Sequence, residues 1–180
     1  MFGDIPLTFY LTALFINQLH LDFSLYTISL KHFFSRTYYI MQDDVIVYEA
    51  RRSFFNKTCS FKDSRGDEIF LIKRIFSPFS RKYVIYYEGE IFARIESKSI
   101  LKSGMIATTA DKKYYIQPSD FFQKITIVES GIEIAKISRK RMAVKNKIGV
   151  AIQPDQDDEL ILSFALMIEL VIRSRKSKSS

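Results

Sequence analysis

From Arg36 to Ile152 short apolar runs alternate with polar breaks, at a period and spacing that predict antiparallel strands. The clearest unit is Lys82-Tyr-Val-Ile-Tyr-Tyr87, then Glu88-Gly89, then Glu90-Ile-Phe-Ala-Arg-Ile95: two strand-forming segments joined by a tight glycine turn. The same unit recurs as Lys124–Val128, Ser130-Gly131 and Ile132–Ser138, and as Thr58–Lys62, Asp63–Gly66 and Glu68–Ile72. Gly66, Gly89 and Gly131 lie 23 and then 42 residues apart. The second interval is close to twice the first, and Met105–Thr109, Ala110–Lys112 and Tyr114–Gln117 fill the gap as one more hairpin. The result is a hairpin repeat of about 21 to 23 residues, with a last strand at about Lys145–Ile152.

The pattern then changes. Pro154 stops the last strand, and Asp155, Asp157, Asp158 and Glu159 suit the start of a helix near Asp157. Leu160 to Ile172 is apolar on every face except at Ser163 and Glu169, so no amphipathic stripe is left. These residues reach about 20 Å as a helix, short of the roughly 30 Å hydrocarbon core of a bilayer. The segment therefore predicts a helix surrounded by protein, with Glu169 reaching water beside Arg173 near its end.

Residues 1–35 read as an apolar extension, residues 36–173 as an all-β barrel or sandwich with its closing helix, and residues 174–180 as a basic disordered tail. The uncharged run Ile5–Leu21 is interrupted by Pro6, Asn17, Gln18 and His20, and Asp4 precedes it without a basic leader. An added strand or helix, an interfacial segment, a membrane span and a loose extension all stay open for it.

Composition sharpens the picture at three points. A hydrophobic share of 47% in 180 residues supplies one sizeable core, and 16 Phe, 10 Tyr and abundant Ile favour strands. A single cysteine, Cys59, excludes an internal disulfide or thiolate metal cluster and points to a reducing, cytoplasmic setting; within its strand it reads as an inert, half-buried thiol. A net charge of +7 allows attraction to phosphates of lipid or nucleic acid.

Successive hairpins with D/E-x-G turns, strands ending in I-x-x-K, Tyr38–Gln42 and one wholly apolar C-terminal helix resemble the tubby C-terminal-like superfamily. The likeness is strongest to its bacterial LURP-one-related group, over about Arg36 to Arg173. It implies a mainly β fold: a closed antiparallel barrel of about twelve strands enclosing the hydrophobic C-terminal helix. Tubby proteins bind phosphoinositides and phospholipid scramblases act at membranes. No residue here matches the tubby headgroup site or the acidic calcium-binding segment of scramblases.

The residues carry no sign of catalysis. His20 and His32 are the only histidines and lack a carboxylate cluster at metal-ligand spacing, and neither GxGxxG nor GxxxxGK[ST] occurs. No cofactor is expected and the chain reads as non-enzymatic. Basic, aromatic corners separate the strand pairs, where Lys and Arg leave the sheet as an apolar residue turns inward. They suit a cytoplasmic module, peripheral at an anionic membrane or acting as a scaffold, with contacts at Arg51, Arg52, Lys73, Arg74, Arg81, Lys82, Arg139, Lys140 and Arg141. Nucleic-acid binding by the same charges is the second reading, and a ligand-free protein-interaction domain the third.

Overall fold

The structure is a computed structural model and describes residues 23–32, 35–55, 57–77, 80–97, 104–119, 123–141 and 146–176. The described elements begin with β1 (Ser24–Leu30), β2 (Thr37–Gln42), β3 (Val45–Arg52), β4 (Thr58–Asp63), β5 (Glu68–Ile75) and β6 (Arg81–Tyr87). They continue with β7 (Glu90–Ser97), β8 (Met105–Thr108), β9 (Lys113–Ser119), β10 (Lys124–Glu129), β11 (Ile132–Arg141), β12 (Asn146–Ile152) and the helix α1 (Asp158–Lys176). Each strand pairs antiparallel with its sequence neighbour, and β1 pairs with β12, so the sheet closes into a barrel with no free edge.

The barrel begins at Ser24 rather than at Arg36. Ser24-Leu-Tyr-Thr-Ile-Ser-Leu30 alternates inward and outward, burying Tyr26 and Ile28, and bridges β12 to β2. Its alternation merges with the apolar residues before it, which hides it in the sequence. The run Ile5–Leu21 and His20 lie outside the described residues.

The hairpins close as their turn residues dictate. Glu88 and Gly89 have φ of 50° and 83°, and Ser130 and Gly131 have 51° and 83°. Two successive left-handed residues match the twist of the flanking strands. Asp43 and Asp44 do the same at 49° and 63° without a glycine, so this turn between β2 and β3 escapes a search for glycines. The register shifts by one residue at Ile40/Met41, Phe61/Lys62, Ile85/Tyr86 and Ile127/Val128. Such bulges increase strand coiling, and repeating one in four hairpins helps the sheet close.

The helix fills the lumen. Asp157 caps it by accepting a bond from the Leu160 amide at 2.9 Å, while its carbonyl accepts from the Ile161 amide at 3.0 Å. Asp158 and Glu159 occupy the positive first turn. Every residue from Leu160 to Val171 is buried, because alternate residues of the strands face it from all sides. Buried Ser163 meets its hydrogen-bonding need within the helix, its hydroxyl donating to the Leu160 carbonyl at 2.6 Å. The helix continues to Lys176, so Ser174, Arg175 and Lys176, expected in the tail, belong to its last turn.

Two tests follow from this packing. Leu166→Ala destabilises the domain by about 2–5 kcal/mol in urea titration, and Leu166→Lys yields no cooperatively folded protein, because no lumenal partner compensates the charge. The second concerns Cys59, whose thiol burial pushes up from about 9 to about 12. Tyr48 and Tyr114 rise likewise from 10.0 to about 12, each first through burial and then through neighbouring carboxylates. The folded state holds these protons more tightly than the unfolded chain, so their stabilisation is intact below pH 9 and is lost as pH climbs to 12. Urea midpoints measured across that window should fall steadily, with Cys59→Ala flattening the earliest part.

Candidate functional site

Antiparallel order sends the connections alternately to the two ends of the barrel, and charge follows the connections. At one end every described hairpin turn carries a carboxylate: Asp43 and Asp44, Asp63 and Asp67, Glu88 and Glu90, Asp111, and Glu129. The N-terminus of α1, with Asp157, Asp158 and Glu159, opens at the same end. Burial first, and then Asp157 and Asp63, hold Glu159 above the ordinary carboxylate range against the opposing Tyr48 hydroxyl bond. Tyr26 donates to Asp158 at 2.7 Å and locks the helix start to β1. The chain also enters the barrel here, at Ser24.

The opposite end collects the basic residues. Arg51 and Arg52 finish β3, Lys73 and Arg74 lie near the end of β5, Arg81 and Lys82 begin β6, and Arg139, Lys140 and Arg141 finish β11. All nine residues singled out in the sequence therefore share one rim, although they span ninety positions of chain from Arg51 to Arg141. Alternation divides them. Arg52, Arg74, Arg81 and Arg139 occupy the inward register, next to buried Ala50, Ile72, Tyr83 and Ile137, whereas Arg51, Lys73 and Lys82 lie on the outer wall. Lys82 is paired there with Glu96 at 3.0 Å.

The aromatic residues of the corners do not turn inward. Phe54, Phe55 and Phe76 are 72%, 73% and 91% exposed on the β3–β4 and β5–β6 connections. With α1 filling the lumen, no core volume remains beyond the last strand pairs. Phe54 and Phe55 contact each other edge to face at 5.1 Å, with Arg36 over the first ring at 5.5 Å and Lys57 over the second at 5.8 Å.

Glu169 is the residue that the sequence places wrongly. It is 1% exposed and holds two guanidinium groups: Arg173 Nε donates to Oε1 and Arg139 Nη2 to Oε2, both at 2.6 Å. Helical spacing makes the Arg173 contact legible, but Arg139 arrives from a strand thirty residues away, and it seals the carboxylate from water. The Arg173 guanidinium also lies over the Tyr38 ring at 5.7 Å. Burial opposes the charge of Arg173, yet Tyr38 and Glu169 beside it raise its pKa above the ordinary value. Burial and then Glu169 push the Tyr38 hydroxyl up in turn.

Cys59 is buried in the core just inside this rim, opposite Arg52 in strand register, and His32 is exposed on the β1–β2 connection at the same end. Among the described residues no three His, Cys, Asp or Glu side chains group as a metal-holding set, and no helix is long and apolar enough to cross a membrane.

A family model described as LURP-one-related matches residues 24–169, from the first strand to the buried carboxylate. The chain belongs to the LURP-one-related family. This LURP-one-related barrel is similar in fold to the X-ray structure of an Arabidopsis thaliana protein, with a TM-score of 0.60 at 12% identity, covering 82% of this chain and 91% of that one. No curated protein matches it.

The buried ion pairs give a direct test. Glu169→Gln removes the carboxylate and leaves two largely buried guanidinium groups to face each other, so a loss of about 3–5 kcal/mol is expected in chemical denaturation. A triple substitution Glu169→Leu, Arg139→Leu, Arg173→Leu should recover much of it, since an apolar cluster needs no compensation.

Proposed function

We propose that this LURP-one-related domain is a non-enzymatic module that rests on anionic membrane surfaces through the basic end of its barrel. The observation that carries this reading is the convergence of the nine basic residues on the rim that also exposes Phe54, Phe55 and Phe76. Lysine and arginine near an anionic bilayer contribute about 1 kcal/mol each, and aromatic rings at the same level enter the boundary between headgroups and acyl chains. A rim bearing both fits a lipid surface better than it fits water, where large exposed apolar side chains cluster only with a partner. The carboxylate-bearing end then faces away from the bilayer, repelled by it, and is available to protein partners as a scaffold would require.

Flotation of the full chain with vesicles tests this. Binding should be absent on phosphatidylcholine, rise with added phosphatidylserine, and fall as salt screens the surface. Arg51→Glu with Lys73→Glu, or Phe54→Ser with Phe76→Ser, should weaken it, while Lys113→Glu at the opposite end leaves it unchanged. Flotation that ignores lipid charge overturns the reading. Salt-sensitive binding of oligonucleotides without vesicle binding replaces it with nucleic-acid recognition.

A further inference from the structure

The outer wall of the barrel sinks, across β10, β11, β12 and β1, into an open groove of about 650 Å3. Strand register produces it. One row across the wall runs Leu25, Ala151, Lys136 and Thr126, and the next runs Thr27, Gly149, Ser138 and Lys124. Ala151, Gly149 and Ser138 lie in the middle and are too short to fill the wall. The surface is mostly apolar, and Lys136 is already paired with Glu133 at 2.7 Å. Gly149 is not in the left-handed region, and a Cβ there would meet only the Ser138 hydroxyl, at 3.1 Å. The barrel itself has little need of glycine at this position, and a glycine inside a strand marks where another backbone comes close.

Chain continuity names that backbone. Twenty-two residues precede Phe23 and join the barrel at the margin of the groove, where Phe23 and Leu25 are 41% and 61% exposed. Within them Ile5–Leu21 contains no Asp, Glu, Lys or Arg, and eleven of its seventeen residues are apolar. A stretch tethered this close to an apolar groove meets it at a high effective concentration, so modest burial is enough to seat it. Length is sufficient in any regular conformation: seventeen residues reach about 26 Å even at a helical rise, whereas four strands span about 14 Å. The closed sheet offers no edge for strand addition, so a covering segment must dock by its side chains on the face of the wall.

We infer that Ile5–Leu21 folds back from Phe23 and occupies the groove over β10, β11, β12 and β1, covering Leu25 and Ala151 and approaching most closely at Gly149. The chain is thus its own partner at this surface. While seated, the segment withholds its apolar residues, and the groove beneath them, from bilayers and from other proteins. The inference does not rest on the membrane reading above.

The test uses the full chain without lipid, with Cys59 buried in the core so that an introduced thiol is the reactive one. Ala151→Cys should react with a maleimide at least about tenfold more slowly than Lys73→Cys on the far wall. Adding Leu14→Asp and Phe15→Asp should speed the Ala151→Cys reaction about tenfold and leave that of Lys73→Cys unchanged. A benzophenone side chain placed at Thr126 should cross-link on illumination to residues 5–21. In a mixture of isotopically light and heavy protein, the joined peptides should come from one molecule. A thiol rate untouched by the two aspartates, cross-links that join separate molecules, or no cross-link to residues 5–21 overturns the inference. A protection that grows with protein concentration does the same, because it assigns the groove to a second copy.

Discussion

Closure of the sheet around a helix is the constraint on which the rest of this structure depends. The pairing of β1 with β12 removes both sheet edges and creates a lumen that must be filled. An apolar helix fills it only if it is apolar on every side, as α1 is from Leu160 to Ile168 apart from the internally bonded Ser163. Neither part is stable alone. An isolated all-apolar helix has no solvent-compatible face, and an empty barrel of this width would forfeit the contacts of its inner wall. The depth of the lumen also fixes the helix, since about 20 Å of apolar helix matches the six to eight residues of every strand except β8 and β11.

A second consequence is electrical. With every strand antiparallel to its neighbours, tight turns gather at one end and longer connections at the other, so charges periodic in sequence become segregated in space. Carboxylates predominate at the tight turns and the positive end of α1, where Arg65 and Lys112 pair with them; guanidinium and ammonium groups predominate at the longer connections and its negative end. The helix dipole is complemented at both ends. The barrel is a polarised body, and one pole carries the exposed phenylalanines.

The basic pole has two layers with different physical characters. Its outer wall presents solvated cations and aromatic side chains. Its inner layer presents the inward-register arginines Arg52, Arg74, Arg81 and Arg139, the last of which joins Arg173 on the buried carboxylate of Glu169. Glu169 joins the pole to the core: it belongs to the closing helix, yet its partners come from β11 and the last helical turn. Removing an inner arginine therefore disturbs charge more than packing, whereas removing Glu169 disturbs both.

Much of this architecture was legible along the chain because it is local. Alternation and the glycine turns at Gly66, Gly89 and Gly131 gave the hairpins, and the uninterrupted apolar character of Leu160–Ile172 required a surrounding wall. Family likeness added the barrel. Local signals failed where neighbouring sequence obscured them, as at Ser24–Leu30, or where two aspartates performed a turn usually built on glycine, as at Asp43-Asp44. The nine basic residues were identifiable as types, but their common rim was not, because strand pairing and register decide which end of a barrel a residue reaches. The division between inward Arg52, Arg74, Arg81 and Arg139 and outward Arg51, Lys73 and Lys82 also required the folded register. Only tertiary structure could bury Glu169 between Arg139 and Arg173, or leave Phe54, Phe55 and Phe76 in solvent. Sequence determined the elements through their hydrophobic period; the closed barrel decided which charges meet, because contact across a lumen has no counterpart in chain separation.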